Sequence, residues 1–422
     1  MLTPTLLLSL TLTATALAVD FPAPDTLPAS AALPEVLTMR DGSRVGTKAE
    51  WLERRAPELR ALFTHYMYGA RPQEQRAVGE MIREDKAALG GKATLREVRV
   101  VDCGLAAPVH LLVLIPNQHA GKVACFLGMN FNGNYRLLDD PLVQMPAGWV
   151  AGAPPNRAAE SGRGKDKAMW DVEQTLDRGY AVATFYCGDV VPDNKELAEA
   201  VLRKFRTSEE RGDADTAVIM AWAWGFSRML DYVQTVPEID ARRVAAVGHS
   251  RNGKTALVAV AFDERFALCI PTQAGCGGTA PSRLSPELAA LRPNGRPGAE
   301  TVAVINKNFP HWFCGNFKAF NEATEKLPFD QHALIALCAP RPVLLSCAEG
   351  DQWANPEGQF AMLAAAAPAY ALFGPAPTLP AQRPAIGELL NERLGYYTRP
   401  GAHSMISADW KVWLDYADKW LR

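Results

Sequence analysis

The 422-residue sequence has no CxxC pair and no ladder of cysteine and histidine, so nothing in it suggests a structural zinc site. It has no basic block: 44 Lys and Arg stand against 46 Asp and Glu, for a net charge of −2. That balance argues against nucleic acid or an anionic membrane surface as a partner. Beyond the first eighteen residues, no segment reaches membrane-spanning length without a charge. No internal repeat is present. There are only 7 histidines, which keeps the roster of possible general bases short. The 8 cysteines would allow disulfides in an oxidising compartment, but Cys125, Cys187, Cys269 and Cys347 lie in or beside apolar runs. A free thiol there behaves as a small hydrophobe.

What is present begins with MLTPTLLLSLTLTATALA, an apolar stretch ending in Ala16-Leu17-Ala18. The small-x-small ending reads as a signal peptide over 1–18, cut before Val19, although a charged n-region is missing. The expected mature protein is therefore exported, periplasmic or secreted, and soluble. Residues 19–50 are rich in Pro and Ala and are expected to wrap the surface; Leu52–Met67 is expected to be helical. Strand candidates follow at Leu95–Val101, Val109–Ile115, Ala124–Gly128, Ala181–Tyr186, Val244–Gly248, Leu268–Pro271, Val343–Ala348 and Leu394–Tyr397. Helices are expected at Asp171–Arg178, Thr216–Thr235, Gly253–Phe262, Gln331–Leu337, Pro356–Ala367 and Ala408–Leu421. Strands alternating with helices predict a mostly parallel sheet covered on both faces, in a single catalytic domain over 19–422. The interval Gly277–Phe329 breaks the rhythm with Pro, Gly and aromatics, as a functional cap or loop would.

Chemistry concentrates at Gly248-His249-Ser250-Arg251-Asn252-Gly253-Lys254, between a strand and a helix. A serine-hydrolase elbow reads Gly-x-Ser-x-Gly; here the second glycine arrives one residue late. The bland alternative is an ordinary strand-to-helix turn with an incidental serine. A nucleophilic serine needs a base, and the base needs an acid, in the chain order Ser, acid, His. His403 follows the last strand and precedes the last helix, which suits the base; His311 and His332 are weaker candidates. His249, at a strand end, is expected to point away from Ser250. Asp351 follows the penultimate strand and suits the acid; Glu349 is a rival, and a helix-capping aspartate is the plain alternative.

With Gly248-x-Ser250-Arg251-x-Gly253-Lys254, Phe309-Pro310-His311-Trp312-Phe313, Asp351-x-Trp353 and Gly401-x-His403 in view, the chain resembles the glucuronoyl esterases, carbohydrate esterase family fifteen, over most of its mature length. The resemblance implies an α/β-hydrolase fold: a three-layer α/β/α sandwich with an inserted loop region before the penultimate strand. It implies a serine esterase that cleaves the ester joining (4-O-methyl-)glucuronic acid branches of glucuronoxylan to lignin alcohols. Ser250, His403, Asp351 and Arg251 would be catalytic, with Arg251 donating to the oxyanion. Lys254, Glu300 and Trp353 would hold the sugar, and Gln273 is grouped with them on the substrate side. Many members carry a glutamate at position 273, twenty-three residues past the serine. Glutamine cannot stabilise an imidazolium by charge, which favours Asp351 as the acid. Fungal members carry cysteines where His249 and Ser404 stand here, so no disulfide is expected at that place. No cofactor or metal is implied, and a monomer is expected. An esterase of the same fold acting on another carbohydrate ester, such as acetyl-xylan, stays open, as does a non-catalytic carbohydrate-binding relative.

Overall fold

The computed structural model describes residues 21–422 except 103, 106, 153, 154, 207, 291–294 and 296, so the expected signal peptide lies outside the described residues. Nine strands form one sheet: β1 Val78–Ala87, β2 Ala93–Val101, β3 Val109–Pro116, β4 Val123–Asn130, β5 Ala181–Tyr186, β6 Ile239–His249, β7 Leu268–Thr272, β8 Val343–Ala348 and β9 Leu394–Arg399. Their order is β1-β2-β3-β5-β4-β6-β7-β8-β9. The pairs from β5 through β9 are parallel; β1, β2 and β3 pair antiparallel with each other, and β3 pairs antiparallel with β5.

Strands β4, β5, β7, β8 and β9 are buried along their whole length. Their near-continuous apolar sequences follow, because helices cover both faces. In β3 the alternation of side chains divides the residues between two cores: Leu111, Val113 and Ile115 join one, Leu112 and Leu114 the other. The first core takes in the helices Val218–Val233, Arg251–Phe262 and Pro356–Ala371; the second takes in Val172–Asp177 and Ser407–Trp420. This is a three-layer α/β/α arrangement. Among the described residues, no helix is long and apolar enough to cross a membrane.

Strand β1 has no counterpart among the sequence expectations. Its sequence, VGEMIREDKA, is mostly exposed and shows no apolar alternation. Its antiparallel ladder with β2 holds it in place, with cross-strand ion pairs beside it: Arg96 with Glu84 at 2.8 Å and Arg99 with Glu80 at 3.0 Å. A charged edge of this kind discourages pairing with other chains. The expected helix near Leu52–Met67 is a run of helical turns over 48–68, with π-helical turns at Trp51–Arg55 and Thr64–Tyr68. The seven described cysteines are buried free thiols.

Candidate active site

Four parallel strands, β6 to β9, bring their C-terminal ends to one edge of the sheet. Ser250 follows β6, Asp351 follows β8 and His403 follows β9. The turn at Ser250 is tight. Its φ is +59° and its ψ −125°, a backbone state that a non-glycine residue occupies only under constraint. The constraint is visible in the glycines. A Cβ on Gly248 would lie 2.1 Å from the carbonyl oxygen of Asn252, and one on Gly253 would lie 2.8 Å from that of Gly248. Strand end and helix start therefore cross in backbone contact. The late glycine is where the crossing needs it. Asn252, in the usual glycine position, is fully buried and donates to the carbonyl of Met129 at the end of β4, 2.8 Å away.

His403 Nδ1 donates to Asp351 Oδ2 at 2.6 Å. The Asp351 side chain is only 3% exposed, whereas His403 is 43% exposed, so the acid is sheltered and the base accessible. Asp351 Oδ1 accepts from the amide of Ala354. Glu349, the rival acid, is exposed. The acid and base loops are joined through their backbones: Gly350 N–H donates to the carbonyl of Gly401 at 2.8 Å, an approach that a Cβ on Gly350 would block.

The histidine loop is gripped from below by two side chains. Gln273, at a left-handed φ of +49°, donates from Nε2 to the Ser404 carbonyl at 2.6 Å and accepts from the Ser404 amide at 3.0 Å. Its amide is thus committed to the backbone beside His403. It is buried and serves as a clamp on the loop that carries His403. Arg399 adds bonds to the carbonyls of Ser404 and Ala402, while its Nε is paired with the fully buried Asp409 at 2.9 Å.

The ring of His249 lies against that of His403, with centroids 4.6 Å apart. Since His249 precedes Ser250, this contact brings His403 to the serine's immediate neighbourhood. Burial, with the nearby positive groups His403, Arg399 and Arg251 adding to it, depresses the His249 pKa to about 3. Burial thus favours the neutral ring.

Arg251 opens the helix Arg251–Phe262, so its amide belongs to a helix N-terminus. Its guanidinium lies over Phe131 at 4.8 Å and Trp312 at 5.8 Å, and its Nε is 2.8 Å from Asp193 Oδ2. One helical turn further, Lys254 is buried and donates to the carbonyls of Ala274 and Cys276, at 2.5 and 2.7 Å. Gly278 makes room for its stem, since a Cβ there would meet Lys254 Cγ at 2.8 Å. Burial lowers the lysine pKa, and the charge of Glu300 opposes that shift. Burial likewise raises the Glu300 pKa, against the pull of Lys254 and a hydrogen bond with Trp353. Glu300 N–H also donates to the Trp353 carbonyl at 3.0 Å. Lys254, Glu300 and Trp353 therefore form one cluster, with Asp351 and His403 near enough to be felt electrostatically by Glu300.

A family model described as glucuronyl esterase, fungi, matches residues 168–374. A carbohydrate esterase from an unknown prokaryotic organism is 38% identical over 397 residues, covering 92% of this chain and 89% of its own. Two solved structures superpose with a TM-score of 0.83: an esterase of family CE15 from a marine bacterial metagenome, 37% identical, and a glucuronoyl esterase from Solibacter usitatus, 34% identical. They cover 94% and 93% of this chain, and 98% and 99% of their own. The chain belongs to the glucuronoyl esterases, carbohydrate esterase family fifteen. It is accordingly an α/β-hydrolase and a carboxylic ester hydrolase, as the resemblance implied.

In this family member, sequence reasoning passed over Asp193. It accepts from His311 Nε2 and Trp312 Nε1, both at 2.8 Å, besides facing Arg251. His311, a weak candidate for the base, is thereby employed elsewhere. His332 is buried, with Nε2 on the carbonyl of Pro34. The available signal for Asp193 was a carboxylate shortly after the end of a buried strand, in Val190-Val191-Pro192-Asp193-Asn194.

Proposed function

We propose that Ser250, His403 and Asp351 act as nucleophile, base and orienting acid in hydrolysis of glucuronoyl esters, those joining (4-O-methyl-)glucuronic acid side chains of glucuronoxylan to lignin alcohols. The observation that carries the reading is the 2.6 Å Asp351–His403 pair, sheltered at the acid and open at the base, beside a serine on a strained turn in a chain of this esterase family. The Ser250 hydroxyl attacks the ester carbonyl while His403 Nε2 takes its proton. Asp351 holds Nδ1–H, which leaves Nε2 free to accept, and stabilises the imidazolium that forms. The carbonyl oxygen becomes an oxyanion, to which the amide and guanidinium of Arg251 donate. When the tetrahedral intermediate collapses, the bond to the alcohol breaks and His403 returns the proton to the leaving oxygen. Water, activated by the same histidine, then cleaves the acyl-enzyme and releases the uronate.

Lys254, Glu300 and Trp353 supply the sugar side. A carboxylate accepts from sugar hydroxyls, and an indole combines an apolar face with one N–H. The lysine, already fixed by two carbonyls, offers a held cation to an oxygen-rich substrate. An acetyl ester has no hydroxyls for these groups to hold. The enzyme is proposed to act outside the cytoplasm, after loss of a leader over 1–18, as a single catalytic domain.

The test compares a benzyl ester of glucuronic acid with p-nitrophenyl acetate. Wild type is expected to favour the uronate ester in kcat/KM, and Ser250→Ala to lose turnover of both while keeping its thermal transition. Unchanged turnover by a clean Ser250→Ala preparation would remove the serine from the mechanism. A serine-directed phosphonate that labels the wild type but not this variant supports the assignment.

A further inference from the structure

Asp193 sits between β5 and the helix Lys195–Leu202, fifty-seven residues before the serine. Its side chain is 11% exposed, and both oxygens are engaged. Oδ1 accepts from His311 Nε2 and Trp312 Nε1; Oδ2 meets Arg251 Nε. Trp312 is itself stacked on Phe309, with centroids 3.8 Å apart and planes within 3°. The backbone carbonyls of His311 and Trp312 accept from the amides of Val218 and Ile219 at the start of the long buried helix. The carboxylate thus hangs from a rigid part of the insertion. It is an anion despite its burial: desolvation pushes its pKa up, but the bond from His311, the charge of Arg251 and the bond from Trp312 together hold it below the usual value.

An arginine that must meet an oxyanion faces a difficulty. Its head rides on a flexible stem, and a donor helps most when it is already in place before charge develops. Here the guanidinium is confined by Phe131 and Trp312 and approached by Asp193 through Nε, the inner nitrogen. The contact is an ion pair through charge at 2.8 Å, since Arg251 Nε is buried and makes no hydrogen bond. We infer that Asp193, carried by His311 and Trp312, is a positioning residue that presets the Arg251 guanidinium for the oxyanion. The inference rests on the proposed role of Arg251 and gives the His311-Trp312 part of the insertion a task in the reaction.

Asp193→Asn tests it with little change of shape. The Asn oxygen can still accept from His311 and Trp312, but a neutral NH2 then faces the Arg251 guanidinium, and the ion pair is gone. Three variants are compared with wild type on the glucuronate benzyl ester: Asp193→Asn, Arg251→Ala and the double variant. Arg251→Ala is expected to lose about 10²–10³ in kcat, the usual cost of an oxyanion donor. Asp193→Asn is expected to lose part of that, roughly 10- to 100-fold in kcat, with KM within about threefold. In the Arg251→Ala background the Asn substitution should cost less than about threefold, because the group it positions is absent. Independent, multiplying losses would make Asp193 merely structural and overturn the inference. An Arg251→Ala defect with normal Asp193→Asn kinetics would overturn this inference alone. Wild-type kcat in Arg251→Ala would remove the oxyanion role of Arg251 and this inference together. Should Asp193→Asn fail to fold, His311→Phe removes a donor to Asp193 and leaves Arg251 intact. It is then held to the same requirement of a kcat loss that vanishes in the Arg251→Ala background.

Discussion

Changing Asp351 to asparagine tests the proposed acid most severely, because the two carboxylate oxygens have different partners. Asp351 Oδ1 accepts from the fixed amide of Ala354, and Oδ2 accepts from His403 Nδ1. Asparagine has one acceptor oxygen. The Ala354 N–H, fixed in a turn and shared between Oδ1 at 3.3 Å and the Asp351 carbonyl at 3.1 Å, favours that oxygen. The NH2 group then faces His403 and can only donate, so Nδ1 must be the acceptor and Nε2 must carry the proton. A histidine in that tautomer cannot accept the proton of Ser250. The charge that would stabilise the imidazolium is lost as well. The same change in a serine-protease triad costs roughly 10⁴ in kcat, and we expect a similar loss here, about 5.5 kcal/mol of transition-state stabilisation.

Gln273→Ala is the comparison that gives this number meaning. It removes two hydrogen bonds to Ser404, but Arg399 still holds the Ser404 carbonyl at 2.7 Å and the Ala402 carbonyl at 3.2 Å. The two bonds are worth roughly 1–3 kcal/mol of stability together, and their loss should cost kcat no more than about tenfold. Saturation kinetics on the glucuronate benzyl ester, with thermal unfolding as the control for folding, separates the two. Near-normal kcat in Asp351→Asn, with Gln273→Ala inactive, would refute the assignment and move the acid's role to the end of β7.

Much of this architecture was legible because burial on both faces writes itself into strand composition. Strands β5 and β8 have the expected boundaries, and β4, β6, β7 and β9 differ only at their ends. Strand β1 was illegible for the opposite reason: it is an exposed edge, held by its ladder with β2 and by ion pairs rather than by burial. The insertion of β5 between β3 and β4 was also out of reach, since pairing order depends on crossovers that no local pattern records. At the site, Ser250, Asp351 and His403 could be read because each follows a recognisable strand in a fixed chain order. Asp193 and His249 could not. Their roles arise from contacts made only when the insertion folds back and β9 comes alongside β8. The clamp made by Gln273 could not be read either, since it depends on a left-handed backbone that turns the amide to the neighbouring loop.

Two further predictions concern the groups around the triad. Lys254→Ala, Glu300→Ala and Trp353→Ala should each reduce kcat/KM on the glucuronate ester by at least about tenfold more than on p-nitrophenyl acetate, the cost of losing roughly one charged hydrogen bond. Equal losses on both substrates would make the cluster structural. The last prediction follows from the buried ring of His249. Its pKa is about 3 in the folded protein, against an ordinary value of 6.5. Between those limits the unfolded chain binds a proton that the folded protein refuses. Unfolding is therefore favoured as pH falls, by up to about 1.4 kcal/mol per pH unit for one proton. The penalty is absent above pH 6.5 and grows toward pH 3. His249→Gln cannot take up that proton in either state, so its stability should fall less steeply than that of wild type between pH 6.5 and pH 4, a range inside the two pKa limits. Denaturant unfolding at half-unit pH steps measures both slopes. Parallel slopes would mean that the folded protein admits the proton at His249, and that the ring stacked on His403 is not held neutral by its burial.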